Sequence, residues 1–508
     1  MQKNKIKSFS ELVDVLKVLK GKGKKIVQCH GVFDLLHPGH IQHFQQAKEQ
    51  GDTLVVSVTP DEFVNKGPGR PAFNEKLRLE SLASMSFVDY VVLNESPDAV
   101  SAISKIKPDV YVKGKEYQNY NEDVTGKIVD EVEVTQKNGG KVFYTDGIVY
   151  SSSSLINQYV LPLNKEVKSF IKEIKSKHSI GELLKKVDEL SNLKVLIVGD
   201  SIIDVYQYVE PLGQSGKGIH MAVSCKEEEV FLGGSLIIAQ HVAQFAKSVT
   251  LLSSLGENCP YKNLIFEKLK DNIQMEFEYH EKHPTLTKKR YVIKDGKTLT
   301  KMFETYSSNE FLLNKKNTES VVRFIKEQAN NFDLIISSDF GNGFTNPLIV
   351  DELSNTSSFL SVNTQMNSGN RGYNVVNHYK RSDYISINEP ELRLSAHDRT
   401  SNVESLMIEI KHKMKSSALA VTRGVNGVII NFEKDFFEVP ALSGDSIDRV
   451  GAGDSFLAVS SLCMAKGFSP KIAGFFGSIA SAIDVQIVGN RDPVRKVDFC
   501  KYLIRLLK

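Results

Sequence analysis

Short apolar runs, each followed by a stretch of helical periodicity, recur along this chain, and that alternation limits its fold more than any other feature. The runs at 25–29, 53–58, 88–93 and 109–112 are separated by segments with apolar positions at helical spacing. Strands joined in this way lie parallel, because a parallel pair needs a crossover that a helix supplies. The order restarts at 194–198 and continues through runs near 249–254, 333–338, 359–363, 384–387 and 418–422. A chain of 508 residues exceeds what one core ordinarily holds. The reading is α/β with two doubly wound parallel-sheet domains, 1–163 and 193–508, joined by a charged helical linker at 164–192. Two β-rich stretches, about 205–225 and 286–304, interrupt the second domain and are expected to form a small β lid. Ser8 or Ser10 is the expected N-cap of the first helix.

Composition narrows the function by exclusion. With 64 Lys+Arg against 61 Asp+Glu the net charge is +3, and the Lys-rich stretches at 3–25 and 165–186 are interleaved with apolar positions. They read as solvated helix faces, so no nucleic-acid partner is expected. Cys29, Cys225, Cys259, Cys463 and Cys500 form no CxxC pair and no metal-ligand spacing, as in a reducing compartment. The N-terminus is charged and no apolar run approaches the ~20 residues of a membrane span. A soluble, cytoplasmic protein without a membrane partner is expected.

The first candidate site follows the first strand, where the chain reads GVFDLLHPGHIQHFQQAKEQGD. Gly31 permits close approach of a ligand, Phe33 and Asp34 follow, and Pro38-Gly39 separate His37 from His40 at the start of a helix. A helix N-terminus above the strand ends is an anion site. Two imidazoles three residues apart there suit in-line attack on an α-phosphate, where charge grows on the phosphoryl oxygens.

These residues resemble the HxGH cytidylyltransferase-like nucleotidyltransferases, a Rossmann-like family, over roughly 25–160. Arg70-Pro71 with Glu75 and Arg78 is similar to the family's RP…E.R stretch, and Val112-Lys113-Gly114 with Tyr117 to its VKG..Y strand end. Ser152, Ser153 and Ser154 resemble its closing signature near the triphosphate, although Ile148-Val149-Tyr150 intervene after Gly147. The resemblance implies that His37 and His40 stabilise the α-phosphate. It also makes Gly31, Phe33, Lys48, Arg78 and Lys113, with the three serines, nucleotide-binding candidates, Arg78 ahead of Arg70.

The second candidate site is DRVGAGDSF at 448–456, ahead of an apolar helix. Gly451, Ala452 and Gly453 let consecutive backbone N–H groups converge on a phosphate, and Asp454 is placed to take a proton from a sugar hydroxyl. The helix N-terminus is expected to keep that carboxylate ionised. This stretch resembles the signature of the ribokinase-like (phosphofructokinase B) sugar kinases, and the resemblance covers about 192–508. It implies that Asp200, Asp204, Gly233 and Gly234 hold substrate, and that Asn388 and Glu391 organise Mg²⁺ through water. Thr422, Gly424, Gly427 and Asn490, with the Gly451–Gly453 loop, would line the nucleotide. The family's Asn after the paired glycines is Ile237 here, and the stretches 213–218 and 363–373 depart from its pattern.

Together the halves resemble the bifunctional heptose kinase/heptose-phosphate nucleotidyltransferases with the domain order reversed. That resemblance implies a sugar kinase using ATP and a sugar-1-phosphate nucleotidyltransferase using ATP or CTP, and a homodimer is expected. The alternative is a CTP-dependent polyol-phosphate cytidylyltransferase fused to a non-catalytic ribokinase-like binding or dimerisation module.

Overall fold

The structure is a computed structural model that describes residues 4–64, 67–118, 127–146, 164–269, 271–281, 283–296, 298–307, 313–370, 372–443 and 446–508. Ser152, Ser153 and Ser154 lie outside them. The chain divides into two compact units, Met1–Lys165 with Cys500–Lys508, and Glu166–Phe499.

In the first unit the described residues build a parallel sheet of six strands, β1 (Ile6–Lys7), β2 (Ile26–Gly31), β3 (Thr53–Val58), β4 (Tyr90–Leu93), β5 (Val110–Gly114) and β6 (Lys141–Thr145), in the order β1-β4-β3-β2-β5-β6. From β2 the chain runs outward to β3 and β4, then returns to the other side for β5 and β6. That reversal makes a crevice at the carboxyl ends of β2 and β5, the usual ligand position in such sheets. The strands are apolar on both faces because helices cover both: all six residues of β3 are buried. Ser8, not Ser10, caps the first helix (Phe9–Gly21), closing a capping box with Glu11.

The second unit holds a larger sheet. Its strands are β7 (Lys194–Gly199), β10 (Ser248–Gly256), β11 (Ile273–His280), β14 (Leu334–Asp339), β15 (Phe359–Thr364), β16 (Tyr384–Asn388), β17 (Ala418–Thr422), β18 (Val428–Phe432) and β19 (Asp435–Val439), in the order β11-β10-β7-β14-β15-β16-β17-β18-β19. The order reverses at β7, so β7 and β14 flank this unit's crevice. The expected lid is a separate four-stranded sheet: β8 (Ser201–Gln214), β9 (Met221–Gly234), β12 (Thr287–Asp295) and β13 (Thr298–Tyr306). The helices Lys165–Lys177 and Ile180–Glu189, in the stretch read as a linker, pack onto this unit. Phe170 meets Phe475 edge to face at 5.5 Å, and Lys471 pairs with Glu173 at 2.6 Å. The helix Ala452–Ala465 is buried on nearly every side, so its sequence is apolar all round rather than amphipathic.

Candidate active sites

His37 is the N-cap of the helix Pro38–Lys48, and His40 lies in its first turn. The helix is fixed by Phe44 and Ala47, both fully buried. Residues four apart share a helix face, so burying Phe44 turns His40 toward the crevice. The two imidazoles stack with centroids 3.9 Å apart, and Phe33 meets His40 edge to face at 5.5 Å. Phe33 adopts a positive φ of 48°, which folds its ring over Gly31, where an added Cβ would come within 2.9 Å of it. Burial lowers the His37 pKa, so the ring is neutral near pH 7 and donates one N–H. A third imidazole, His43, bonds Thr145 at 2.8 Å and is held down to about 4 by burial and then by the Lys113 charge.

The candidate cations of this unit are dispersed. Lys48 closes the helix that His37 opens, so about 15 Å of helix rise separates it from the histidines. Its ammonium bonds Asp89 at 2.5 Å and the Asp52 carbonyl at 2.6 Å, pinning the far end of the sheet. Lys113 is at the crevice end of β5, but its ammonium pairs with Glu131 at 2.7 Å and lies over the Tyr117 ring. Arg78 is buried and its guanidinium is spent on the protein. It donates to the Phe73 and Val32 carbonyls at 3.0 and 2.6 Å and to Asp61 at 2.6 Å. It staples the β2 loop to the 61–73 segment.

In the second unit Gly451, at φ 92°, caps the helix Ala452–Ala465, with Asp454 in its first turn. Behind the turn an added Cβ on Gly451 would approach the Asp484 carboxylate to 2.7 Å. Asp454 is not held low by the helix N-terminus. Burial first, then repulsion from Asp204 and Glu391, pushes it up to about 7 against the opposing pull of Lys288. Desolvation outweighs the helix dipole here.

Of the two aspartates after β7, Asp204 is the one facing Asp454. It pairs with Arg290 from the lid and accepts from Asn490 at 3.3 Å. Gly233 makes room for it, since a Cβ there would stand 2.5 Å from an Asp204 oxygen. Gly234, at φ 59°, turns the chain into the next helix beside the Asp200 carbonyl. Asp200 instead accepts the N–H groups of Phe340, Asn342 and Phe344 at 3.1, 3.4 and 3.1 Å, and so holds the loop after β14. Burial and the neighbouring Asp339 push it up to about 7. Asn490, expected beside the nucleotide, lies between Asp204 and the Gly451 turn.

Asn388 and Glu391 form a capping box on the helix Glu389–Ala396. One Glu391 oxygen accepts from Asn388 N at 2.8 Å and the other from Met366 N at 3.1 Å. Each keeps a free lone pair, and burial pushes the carboxyl up to about 7. Glu391, buried and with a lone pair to spare on each oxygen, is the kind of oxygen donor a hard cation prefers. Among the described residues no group of three or more acidic, His or Cys side chains is gathered to hold a metal directly, so the pair fits Mg²⁺ held through water. At the remaining candidates, Arg423 N bonds the Gly427 carbonyl at 2.7 Å. The turn from Thr422 to β18 is carried by positive φ at Gly424 and Gly427, 56° and 77°.

The sequence reading did not include Lys288, Arg290 or Lys301, which the lid brings to the site. Lys288 and Arg290 share one face of β12 with the buried Val292, and Arg290 also pairs with Glu304 at 3.2 Å. Lys301 and the Tyr206 hydroxyl both bond the buried Asp448 at 2.6 Å, tying the lid to the loop ahead of Gly451. Two cations spaced two apart in TKKRYVIKD, Lys288 and Arg290, were the signal available, because same-face residues on a strand are two apart.

An α/β sugar-kinase site closed by a β lid is what the second unit defines. Residues 192–496 match the pfkB family carbohydrate kinases, and the chain belongs to that family. Residues 29–158 match the cytidylyltransferase-like family. The N-terminal part is similar to the bifunctional protein HldE of Syntrophotalea carbinolica, 36% identical over 160 residues that cover 31% of this chain and 31% of that protein. It is also similar to the HldE of Campylobacter concisus, 42% identical over 148 residues covering 29% of this chain and 30% of that protein. Each match spans less than a third of the relative's length. The phosphofructokinase-2 of Escherichia coli, solved with substrates and products, aligns with 62% of this chain and 100% of its own. At 15% identity and a TM-score of 0.50 it is alike in fold. Among the described residues no helix is long and apolar enough to cross a membrane.

Proposed function

We propose that the chain catalyses two steps of nucleotide-sugar synthesis, phosphorylation of a heptose-like sugar by ATP and transfer of a nucleotidyl group to a sugar 1-phosphate. The observation that carries the reading is the stacked His37–His40 pair at a helix N-terminus on the sheet's reversal point. In the transferase half the sugar phosphate attacks the α-phosphorus of ATP or CTP and pyrophosphate leaves. Imidazole N–H groups and the helix N-terminus stabilise charge on the α-phosphate oxygens.

In the kinase half Asp204 orients a sugar hydroxyl, and Asp454 takes its proton as the oxygen attacks the γ-phosphorus. The backbone of the Gly451–Gly453 loop receives the phosphate oxygens. Asn388 and Glu391 would hold Mg²⁺ through water, the bound ion offsetting phosphoryl charge. Arg290 holds Asp204 in place, and the lid excludes water.

The test incubates the protein with each nucleoside triphosphate and a panel of sugar phosphates while pyrophosphate release is followed, and with ATP and free sugars while ADP is followed. Pyrophosphate from ATP or CTP with a sugar 1-phosphate is expected. Release with a polyol phosphate and CTP alone, and no ADP from any sugar, would replace this reading by a cytidylyltransferase carrying a non-catalytic kinase fold.

A further inference from the structure

Among the described residues of the first unit, Arg70 is a buried cation whose hydrogen bonding is left unfinished. Its side chain is 0% exposed, and its Nε lies 2.5 Å from Asp34 Oδ2. The other Asp34 oxygen accepts from Phe73 N at 3.0 Å. Among the described residues, both outer guanidinium nitrogens of Arg70 are buried without a hydrogen-bond partner. A buried, unsatisfied charged donor is among the costlier defects a fold can carry, and two on one planar group match the spacing of two phosphate oxygens. Arg78, eight residues on, is its contrast, with all three nitrogens bonded to protein.

The anchor of Arg70 lies in the loop that follows β2. Asp34 follows Phe33 in the loop from β2 to His37, so Arg70 is anchored to the chain segment that presents the histidines. A second guanidinium stands close. Arg505, in the C-terminal segment that clusters with this unit, donates to the Pro68 carbonyl at 2.6 Å. Arg70 and Asp34 both act on it electrostatically, and burial lowers its pKa. Asp34 is thus ion-paired with Arg70 and acts electrostatically on Arg505, so two guanidiniums border one carboxylate.

We propose that Arg70 binds a phosphoryl group in the transferase site through its two outer nitrogens, with Arg505 as the second cationic wall. The proposal rests on the transferase reading for the identity of the ligand, which is a phosphate of the nucleotide or of the sugar phosphate. Arg70 positions that group and takes no part in proton transfer.

Inorganic pyrophosphate is the probe, titrated calorimetrically into the full-length protein and into Arg70→Lys, Arg70→Gln and Arg505→Gln. Lys keeps the ion pair with Asp34 and lacks the planar fork, so Kd is expected to rise at least about tenfold in Arg70→Lys. It should rise further in Arg70→Gln and severalfold in Arg505→Gln. A matching rise in KM for the nucleotide alone assigns the site to the triphosphate, and in KM for the sugar phosphate alone to the acceptor. Folding is checked by circular dichroism and retained ADP production; if Arg70→Gln does not fold, Arg70→Lys and Arg505→Gln decide. Wild-type affinity in those folded variants, or no saturable pyrophosphate binding to the wild type, overturns the proposal. Wild type that binds pyrophosphate through Arg70 but releases none from any substrate pair would sink the transferase reading and leave the anion site standing.

Discussion

Replacing Asp454 by Asn keeps the size of the side chain and its capacity to accept a hydrogen bond, and removes its capacity to take a proton. Because the backbone of the Gly451–Gly453 loop is untouched, ATP affinity should hold while sugar phosphorylation falls by roughly 10²–10⁴. The structure adds a pH signature. The carboxyl is pushed up to about 7 by burial, Asp204 and Glu391. One pH unit below that value about a tenth of it is ionised, so wild-type kcat/KM should climb close to tenfold per unit toward neutrality and level off above. The residual rate of the Asn variant should lack that limb. Linkage gives an independent readout. A carboxyl at about 7 in the fold, against its ordinary acidic value when unfolded, supports the fold at low pH and loses that support as pH rises through 7. The unliganded Asn variant should therefore gain in Tm relative to wild type as pH is raised. A coupled ADP assay across the pH range and a melting series measure both. A variant with near-normal turnover, or a wild-type profile flat through pH 7, would refute the assignment of Asp454 as base.

His40→Ala should lower pyrophosphate release by about 10²–10³, the usual effect of removing one preorganised charge-stabilising group. Sugar phosphorylation by the same variant, measured as ADP, should remain within about twofold, because Asp204 and Asp454 are untouched. Gly451→Ala forces a side chain onto a φ of 92° and a Cβ to within 2.7 Å of Asp484. The backbone alone should cost about 1–3 kcal/mol, read as a drop in Tm with kinase activity lost in parallel. Arg78→Met leaves two carbonyls without their donor, and each unsatisfied group costs about 1–3 kcal/mol. That variant should melt earlier without a selective rise in either transferase KM.

The contiguous motifs were legible in the sequence because their geometry is local. A strand, a Pro-Gly turn and a helix start place His37 and His40 with no help from distant residues, and Gly-Ala-Gly-Asp does the same for Asp454. Cations were not legible, because what a lysine or arginine does is set by partners elsewhere in the chain. Lys48 shares a helix with His40, yet Asp89 claims it at the far end of the sheet. Lys113 has the strand position that resemblance assigns it, yet Glu131 on another element neutralises it. Arg78 and Arg70 sit in one motif, and only the tally of their hydrogen bonds separates a staple from a free fork.

The kinase site shows why one sequence spacing carries two meanings. Asn388 and Glu391 at i and i+3 satisfy the pattern for a Mg²⁺-organising pair and equally that of a capping box. The structure contains the capping box, and the two uses are compatible because a carboxylate oxygen that accepts one backbone N–H retains a second lone pair. The cap then fixes the carboxyl in orientation, which a water-mediated metal site requires. The same economy governs Asp448, whose oxygens receive Lys301, Tyr206 and Gly489 N and thereby join the lid to the anion loop. Lys301 stands near no recognisable motif, and Tyr206, two residues after Asp204, is not part of one. Their role follows from a sheet pairing that sets β8 beside β12 and β12 beside β13, and side-chain alternation along those strands then decides which residues face the crevice. A one-residue slip in the β12 register would turn Lys288 and Arg290 outward together and leave Asp204 without its guanidinium, so specificity in this site rests on strand pairing as much as on its motifs.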